Sequence, residues 1–189
     1  GLVGPPAMLH GSLRASMKAE HCEREDSTEP FDTTNGAKGA TSVKEWEFVN
    51  EPKSGTVYLQ AEASHLKRAR VALKEFERKM GRVNEQLRAS HHPPMAVEEL
   101  IGGRLYTGPM YEKYNAVLRA CSGVAFLKQR WTALCRGNQY TTSIHAINSC
   151  VIKLSKLTVA CRIWRGFTGA RLPPSFWQKN TYGVMGGVE

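Results

Sequence analysis

Apolar residues recur along this chain at helical spacing more often than at strand spacing. The longest run is Leu66, Ala69, Leu73, Phe76, Met80, Val83 and Leu87, in alternating steps of three and four. On a helix that order stacks the side chains in one seam, the a/d pattern of a coiled coil. The spacing predicts a helix over 61–92, with Ser64 as N-cap and Ser90-His91-His92-Pro93-Pro94 as its stop. Gly81 in its middle costs about 1 kcal/mol relative to alanine. Such a seam either packs against the chain's own body or joins a partner helix through Leu66, Leu73, Phe76, Met80 and Leu87. The cations on the outer face serve solvation.

Shorter helical patterns follow. Residues 97–100 predict a helical turn closed by Gly102-Gly103, and Pro109 suits the first turn of a new helix. That helix carries Met110, Tyr114, Val117 and Cys121 on one side. Phe126, Leu127, Trp131 and Leu134 form a weaker segment. A further helix opens at Thr142 or Ser143 and aligns Ile144, Ile147, Val151, Leu154 and Leu157. Two stretches change to an alternating period: 43–49, with Trp46 and Phe48 on one face, and 161–167. Before residue 42 the charged run at 23–30 and the turn-rich run at 33–39 predict irregular chain. The organisation expected is therefore a largely irregular extension over 1–60 with a short strand near 43–49, the patterned helix over 61–92, and a domain over 93–189. No internal repeat is present.

Composition narrows the functional classes. With 189 residues, 41% of them apolar, the chain has material for one packed domain and an extension. No stretch approaches the roughly 18 consecutive apolar residues of a membrane span, so no membrane segment is expected. The first residue is Gly1 rather than Met, and the expectation is a sequence that starts mid-chain. Five cysteines, an odd count without a C-x-x-C pair, argue against a disulfide framework or a structural zinc site and favour a reducing, cytoplasmic setting. The net charge of +9 is uneven: from Arg104 onward there are twelve Lys/Arg and only two acids, Glu112 and Glu189. A basic half can be a solvated surface, or it can serve an anionic ligand such as a dinucleotide or a nucleic acid. Trp131, Trp164 and Trp177 near cations could stack on bases, but tryptophans at such positions more often enter the core, and a nucleic-acid partner is not expected. His91-His92 precedes two prolines and decorates a loop, and His145 sits in a first helical turn; neither completes a metal site. No Ser-His-Asp arrangement can be drawn, because 104–189 lacks Asp, and no Gly-rich phosphate loop is found.

The second alternating stretch carries the sharpest chemical signal. On a strand, Cys161, Ile163, Arg165 and Phe167 share a face, so a permanent cation lies among apolar side chains. A guanidinium in that position is costly unless an anion meets it, and its fork of donors suits two phosphate oxygens at once. Gly166 beside it leaves room for a ligand. The bland alternative is an arginine reaching solvent at a strand end, with Trp164 as the core residue.

Three segments in order resemble a known family. Residues 105–119, with Tyr106, Thr107, Tyr111, Tyr114, Asn115, Leu118 and Arg119, resemble the "YT…Y..(F/Y)N..(L/V)R" helix of arginine-specific mono-ADP-ribosyltransferases. Residues 146–154 resemble the helix that leads into their first core strand. Ile163-Trp164-Arg165-Gly166 resembles the arginine motif on that strand, with Trp in the aromatic position. The resemblance covers about residues 104–189. It implies an α+β, ADP-ribosyltransferase-like fold with a helical N-terminal lobe and only the first strands of the sheet core. It implies NAD as substrate, bound by Arg165 and Gly166 at the phosphates, and transfer of ADP-ribose to an arginine on an acceptor protein. The family's catalytic carboxylate comes from an E-x-E pair behind a Ser-Thr-Ser strand, stabilising the cation-like ribose. After Arg165 this chain has neither, and its only acid there is Glu189. The chain as given is expected to lack the catalytic residue and therefore transferase activity. A non-catalytic interaction module, assembled through the 66–87 helix, is the alternative expectation.

Overall fold

The computed structural model describes residues 6–33, 37–51, 71–162 and 178–179, with side chains from residue 13 onward. The chain divides into two units, Gly1–Thr158 and Val159–Glu189. In the second, the described residues are 159–162 and 178–179, among them the exposed Cys161.

The first unit is built from helices: α1 (Pro6–Cys22), α2 (Ser42–Asn50), α3 (Leu73–Ala89), α4 (Val97–Tyr106), α5 (Tyr111–Ala120), α6 (Ala125–Cys135) and α7 (Thr141–Ser155). Among the described residues there is no strand, only one antiparallel bridge between Phe31 and Ala40. The α+β expectation, with first strands of a sheet core, is corrected accordingly: the described chain is all-helical. The short strand expected at 43–49 is instead α2. Its backbone turns because Thr41 caps it, its hydroxyl accepting from the Lys44 N–H at 3.2 Å. Trp46, Phe48 and Val49 are buried from that helix together with Glu45. The expected extension before residue 42 is likewise ordered in good part: α1 spans 6–22, and Met17, Asp26, Phe31, Ala40 and Thr41 are buried.

Most of the core forms one cluster, in which Met17, Trp46, Ile101, Leu105, Met110, Tyr114 and Tyr140 are almost wholly buried. A smaller cluster of Leu87, Met95 and Cys150 lies under α3. The α3 seam is turned toward the chain's own body. Leu87 is fully buried, Met80 and Val83 pack on the smaller cluster and Leu73 on the larger one. Leu66 and Ser64 lie outside the described residues. His91, at φ 59°, ends the helix in left-handed backbone, with the His92 N–H returning to the Leu87 carbonyl at 2.8 Å.

Helix α4 does not stop at Gly102-Gly103 but runs through them to Tyr106. The reason is contact with α7. A Cβ on Gly102 would sit 3.1 Å from the Ile147 nitrogen, and one on Gly103 would sit 2.9 Å from Cys150 Sγ. The partner face of α7 is mostly small: Ser143, Ala146 and Cys150 are buried together with Ile147, which was expected there, while Val151 and Leu154, expected on the same side, are exposed. Close approach selects small side chains over large ones, and so rotates α7 away from its bulkiest apolar stripe. Among the described residues no helix is long and apolar enough to cross a membrane.

Candidate functional site

Arg165 and Gly166, the residues carrying the dinucleotide expectation, lie outside the described residues, as do Trp164 and Trp177. What the structure describes is the helical body that precedes them, and its centre is polar.

That centre is Asp26, fully buried in the connection between α1 and α2. Lys113 of α5 donates to its Oδ2 at 2.7 Å and to its backbone carbonyl at 3.0 Å, with both side chains at 0% exposure. Tyr140 donates its hydroxyl to Oδ2 at 2.6 Å, and Asn138 donates to Oδ1 at 2.9 Å. The Lys113 ammonium also lies 5.0 Å from the centroid of Phe31. A buried ion pair holds only when further hydrogen bonds support it, and here both Asp26 carboxylate oxygens accept and the Lys113 ammonium donates twice. The same Asn138 donates to the Glu20 carbonyl at 2.8 Å and accepts from the Tyr140 N–H at 3.3 Å.

Local backbone makes this possible at some cost. Between α6 and α7 the chain adopts positive φ at Arg136 (44°), Gly137 (85°) and Tyr140 (47°). Each non-glycine residue there costs about 1–2 kcal/mol. The turn brings Asn138 and Tyr140 inward onto Asp26, and the hydrogen bonds offset the strain. It also presents the start of α7 to Glu20, whose carboxylate accepts from the Thr142 N–H at 2.6 Å, the Ser143 N–H at 3.0 Å and the Ser143 hydroxyl at 2.6 Å. A carboxylate meets the otherwise unmatched N–H groups and positive end of that helix.

Next to it lies His21. Its Nδ1 donates to the Met17 carbonyl at 2.6 Å, so Nε2 is the acceptor, receiving the Tyr114 hydroxyl at 2.7 Å. Burial lowers its pKa from 6.5 to about 4 and keeps the ring neutral. Burial, aided by Asp26, raises Tyr140 well above the ordinary phenol range. Burial also pushes Cys135 up to about 12, so its sulfur stays a thiol. Each of these buried groups is held in its uncharged form.

A cleft of about 460 Å³ beside this centre is lined by Glu20, Arg24, Glu25, Arg136, Asn138 and Tyr140. Arg136 at its edge is engaged within the chain, with Glu25 at 3.3 Å and Glu29 at 3.1 Å. Among the described residues no three His, Cys, Asp or Glu side chains gather as a metal site. Glu112 of α5 pairs with Arg130 at 2.8 Å. The letters E-x-E do occur upstream, at Glu23/Glu25, Glu45/Glu47 and Glu75/Glu77. Glu23 and Glu25 are exposed just beyond α1, on α2 Glu45 is buried while Glu47 faces out, and on α3 Glu75 is exposed and pairs with Arg78 and Lys79.

The resembling segments are placed as follows. Tyr106 donates to Asn115 at 3.5 Å on the surface, whereas Leu105, Met110 and Tyr114 are fully buried. Ala146, Ile147 and Cys150 are buried on α7. Sequence reasoning passed over Asp26, Lys113, Asn138 and Tyr140. One signal was available: Lys113 stands at helical spacing with Met110, Tyr114 and Val117, a cation in an otherwise apolar stripe. Comparison with protein-family models, with curated proteins and with solved structures finds no match to this chain.

Proposed function

We propose that this chain is the N-terminal, helical part of an NAD-dependent mono-ADP-ribosyltransferase acting on protein arginine, one that grips the dinucleotide through Arg165 and does not turn it over as given. The observation that supports the reading is the order of the three resembling segments along the sequence. Residues 105–119 form the end of α4 and α5, residues 146–154 lie in α7, and the Ile163–Gly166 word follows in sequence. The first two supply fully buried members of the core, Leu105, Met110 and Tyr114, against Ala146 and Ile147 on α7.

Arg165 supplies a two-point contact to the diphosphate, with Gly166 leaving space for it. Turnover needs a carboxylate facing the developing positive charge on the ribose, and after Arg165 the sequence offers Glu189 alone. The test is calorimetric titration of the 189-residue chain with NAD. Arg165→Ala is expected to weaken binding by roughly 1.5–3 kcal/mol, the range for hydrogen bonds to a charged group. Transfer of labelled ADP-ribose to agmatine is expected to stay at background. An unchanged dissociation constant removes Arg165 from the site, and robust transfer overturns the statement that the chain does not turn NAD over.

A further inference from the structure

The hairpin of α5 and α6 is covered on one side only. In α6, Cys135 is the one buried residue, Trp131 and Leu134 pack half-buried on the core, and Leu127 is half-buried. At the turn joining the two helices, Leu118 (52%), Val124 (50%) and Phe126 (65%) stand exposed. Phe126, the first residue of the weaker apolar segment, faces solvent. Arg119 and Lys128 flank these residues, both exposed, and neither enters an ion pair among the described residues. No acid occurs anywhere between Glu112 and Glu189 in the sequence, so the residues of this end of the hairpin are apolar and cationic and supply no carboxylate of their own.

We infer that the α5–α6 tip docks on the surface of an anionic lipid membrane, with Val124 and Phe126 entering the headgroup boundary and Arg119 and Lys128 meeting the lipid anions. Charge complementarity selects an anionic partner. The apolar residues select among anionic partners. A nucleic-acid backbone would reward the two cations, but Leu118 and Val124 have no ring to stack on a base. A bilayer interface rewards both classes at once, apolar side chains by burial and cations by the negative surface potential. Attachment is superficial, since no described helix can cross the bilayer, and it is reversible, because so small an apolar contact anchors weakly.

The experiment is co-sedimentation of the 189-residue chain with vesicles of phosphatidylcholine alone and of phosphatidylcholine mixed with phosphatidylserine. Binding is expected to the mixture and not to phosphatidylcholine alone, and to be released by added salt. Phe126→Ser is expected to weaken it about tenfold through lost apolar burial. Lys128→Gln is expected to weaken it about fivefold, the contribution of one cation near an anionic leaflet. Both side chains are exposed, so both variants should keep the helical circular dichroism of the parent. The inference is overturned by equal binding to the two vesicle types, by no binding to either, or by Phe126→Ser binding as the parent does. It is equally overturned if an oligonucleotide binds tightly, indifferent to Phe126→Ser, while the vesicles do not.

Discussion

Helix α7 is held in two different ways, and the contrast between its first turn and its later turns explains much of the molecule. The first turn is held by charge and hydrogen bonds. Glu20 covers its N–H groups, and the turn before it carries Asn138 and Tyr140 onto Asp26 and, through Asp26, onto Lys113. The later turns are held mainly by shape, with Gly102 and Gly103 of α4 lying against Ala146, Ile147 and Cys150. One polar clamp supports that flank: Lys153 reaches Glu99 at 2.8 Å and the Pro94 carbonyl at 2.8 Å. A polar hold depends on every partner being present and correctly protonated. A shape hold depends on volume. Each therefore fails to a different perturbation.

The largest effect is expected at the polar end. Lys113→Met leaves the Asp26 carboxylate buried without its counter-ion, and breaking such a pair costs about 3–5 kcal/mol. Replacing both partners, Lys113→Met with Asp26→Leu, is expected to recover part of that loss, because the uncompensated charge is gone. Urea denaturation followed by circular dichroism gives both values. A loss below about 1 kcal/mol for Lys113→Met alone would show that the pair does not organise the centre.

Acid should separate the two regions next. His21 titrates near pH 4 in the folded chain against 6.5 unfolded, so above pH 6.5 both states are neutral there and no stability depends on it. As pH falls from 6.5 toward 4 the unfolded state takes up the proton first, and stability declines by roughly 3 kcal/mol across that window. Glu99 acts later. Burial works to raise its pKa, but Lys153, Ser149 and the Ala96 N–H outweigh it and hold it below the ordinary value of 4.5. Its contribution is complete above the unfolded pKa and is lost as pH falls through the folded one. Denaturation midpoints between pH 7 and pH 4 should thus fall in the parent, with a shallower slope in His21→Gln. Identical slopes would place the acid sensitivity elsewhere.

These two regions were not equally legible in the sequence. The α3 seam could be read from spacing, and Leu73, Met80, Val83 and Leu87 do face the chain's own body, because large apolar residues at steps of three and four have one way to be buried. The same logic placed Ile147 on the buried side of α7, with Ile144 and Leu157 packing partly on the core, but it also put Val151 and Leu154 there, since it ranks positions by apolar bulk while the contact with α4 admits small residues such as Ala146 and Cys150. The Asp26 centre was hidden for another reason. Asp26 sits in a charged run that reads as solvent-exposed chain, and its partners lie 87, 112 and 114 positions away. Local pattern carries no information about pairing over such separations. The alternation over 43–49 misled because Trp46 and Phe48 are buried both in a strand and in the observed helix; Thr41, the cap, distinguished them.

The smallest contrast sets one glycine against another within the shape-held region and outside it. Gly102 has the Ile147 nitrogen and the Ala146 carbonyl carbon at 3.1 and 3.3 Å from where a Cβ would lie, and these are backbone atoms that cannot rotate aside. Gly102→Val must therefore push α4 from α7, and overpacking of that kind costs roughly 1–3 kcal/mol. Gly81, in the middle of α3, has nothing within 4 Å of the same position. There Gly81→Ala only removes backbone freedom from the unfolded chain and is expected to stabilise by about 0.4–1 kcal/mol. The two substitutions should move the urea midpoint in opposite directions. A stabilising Gly102→Val would mean that the close approach of α4 and α7 is not what holds the flank of α7, and the contrast between its two ends would reduce to the polar one alone.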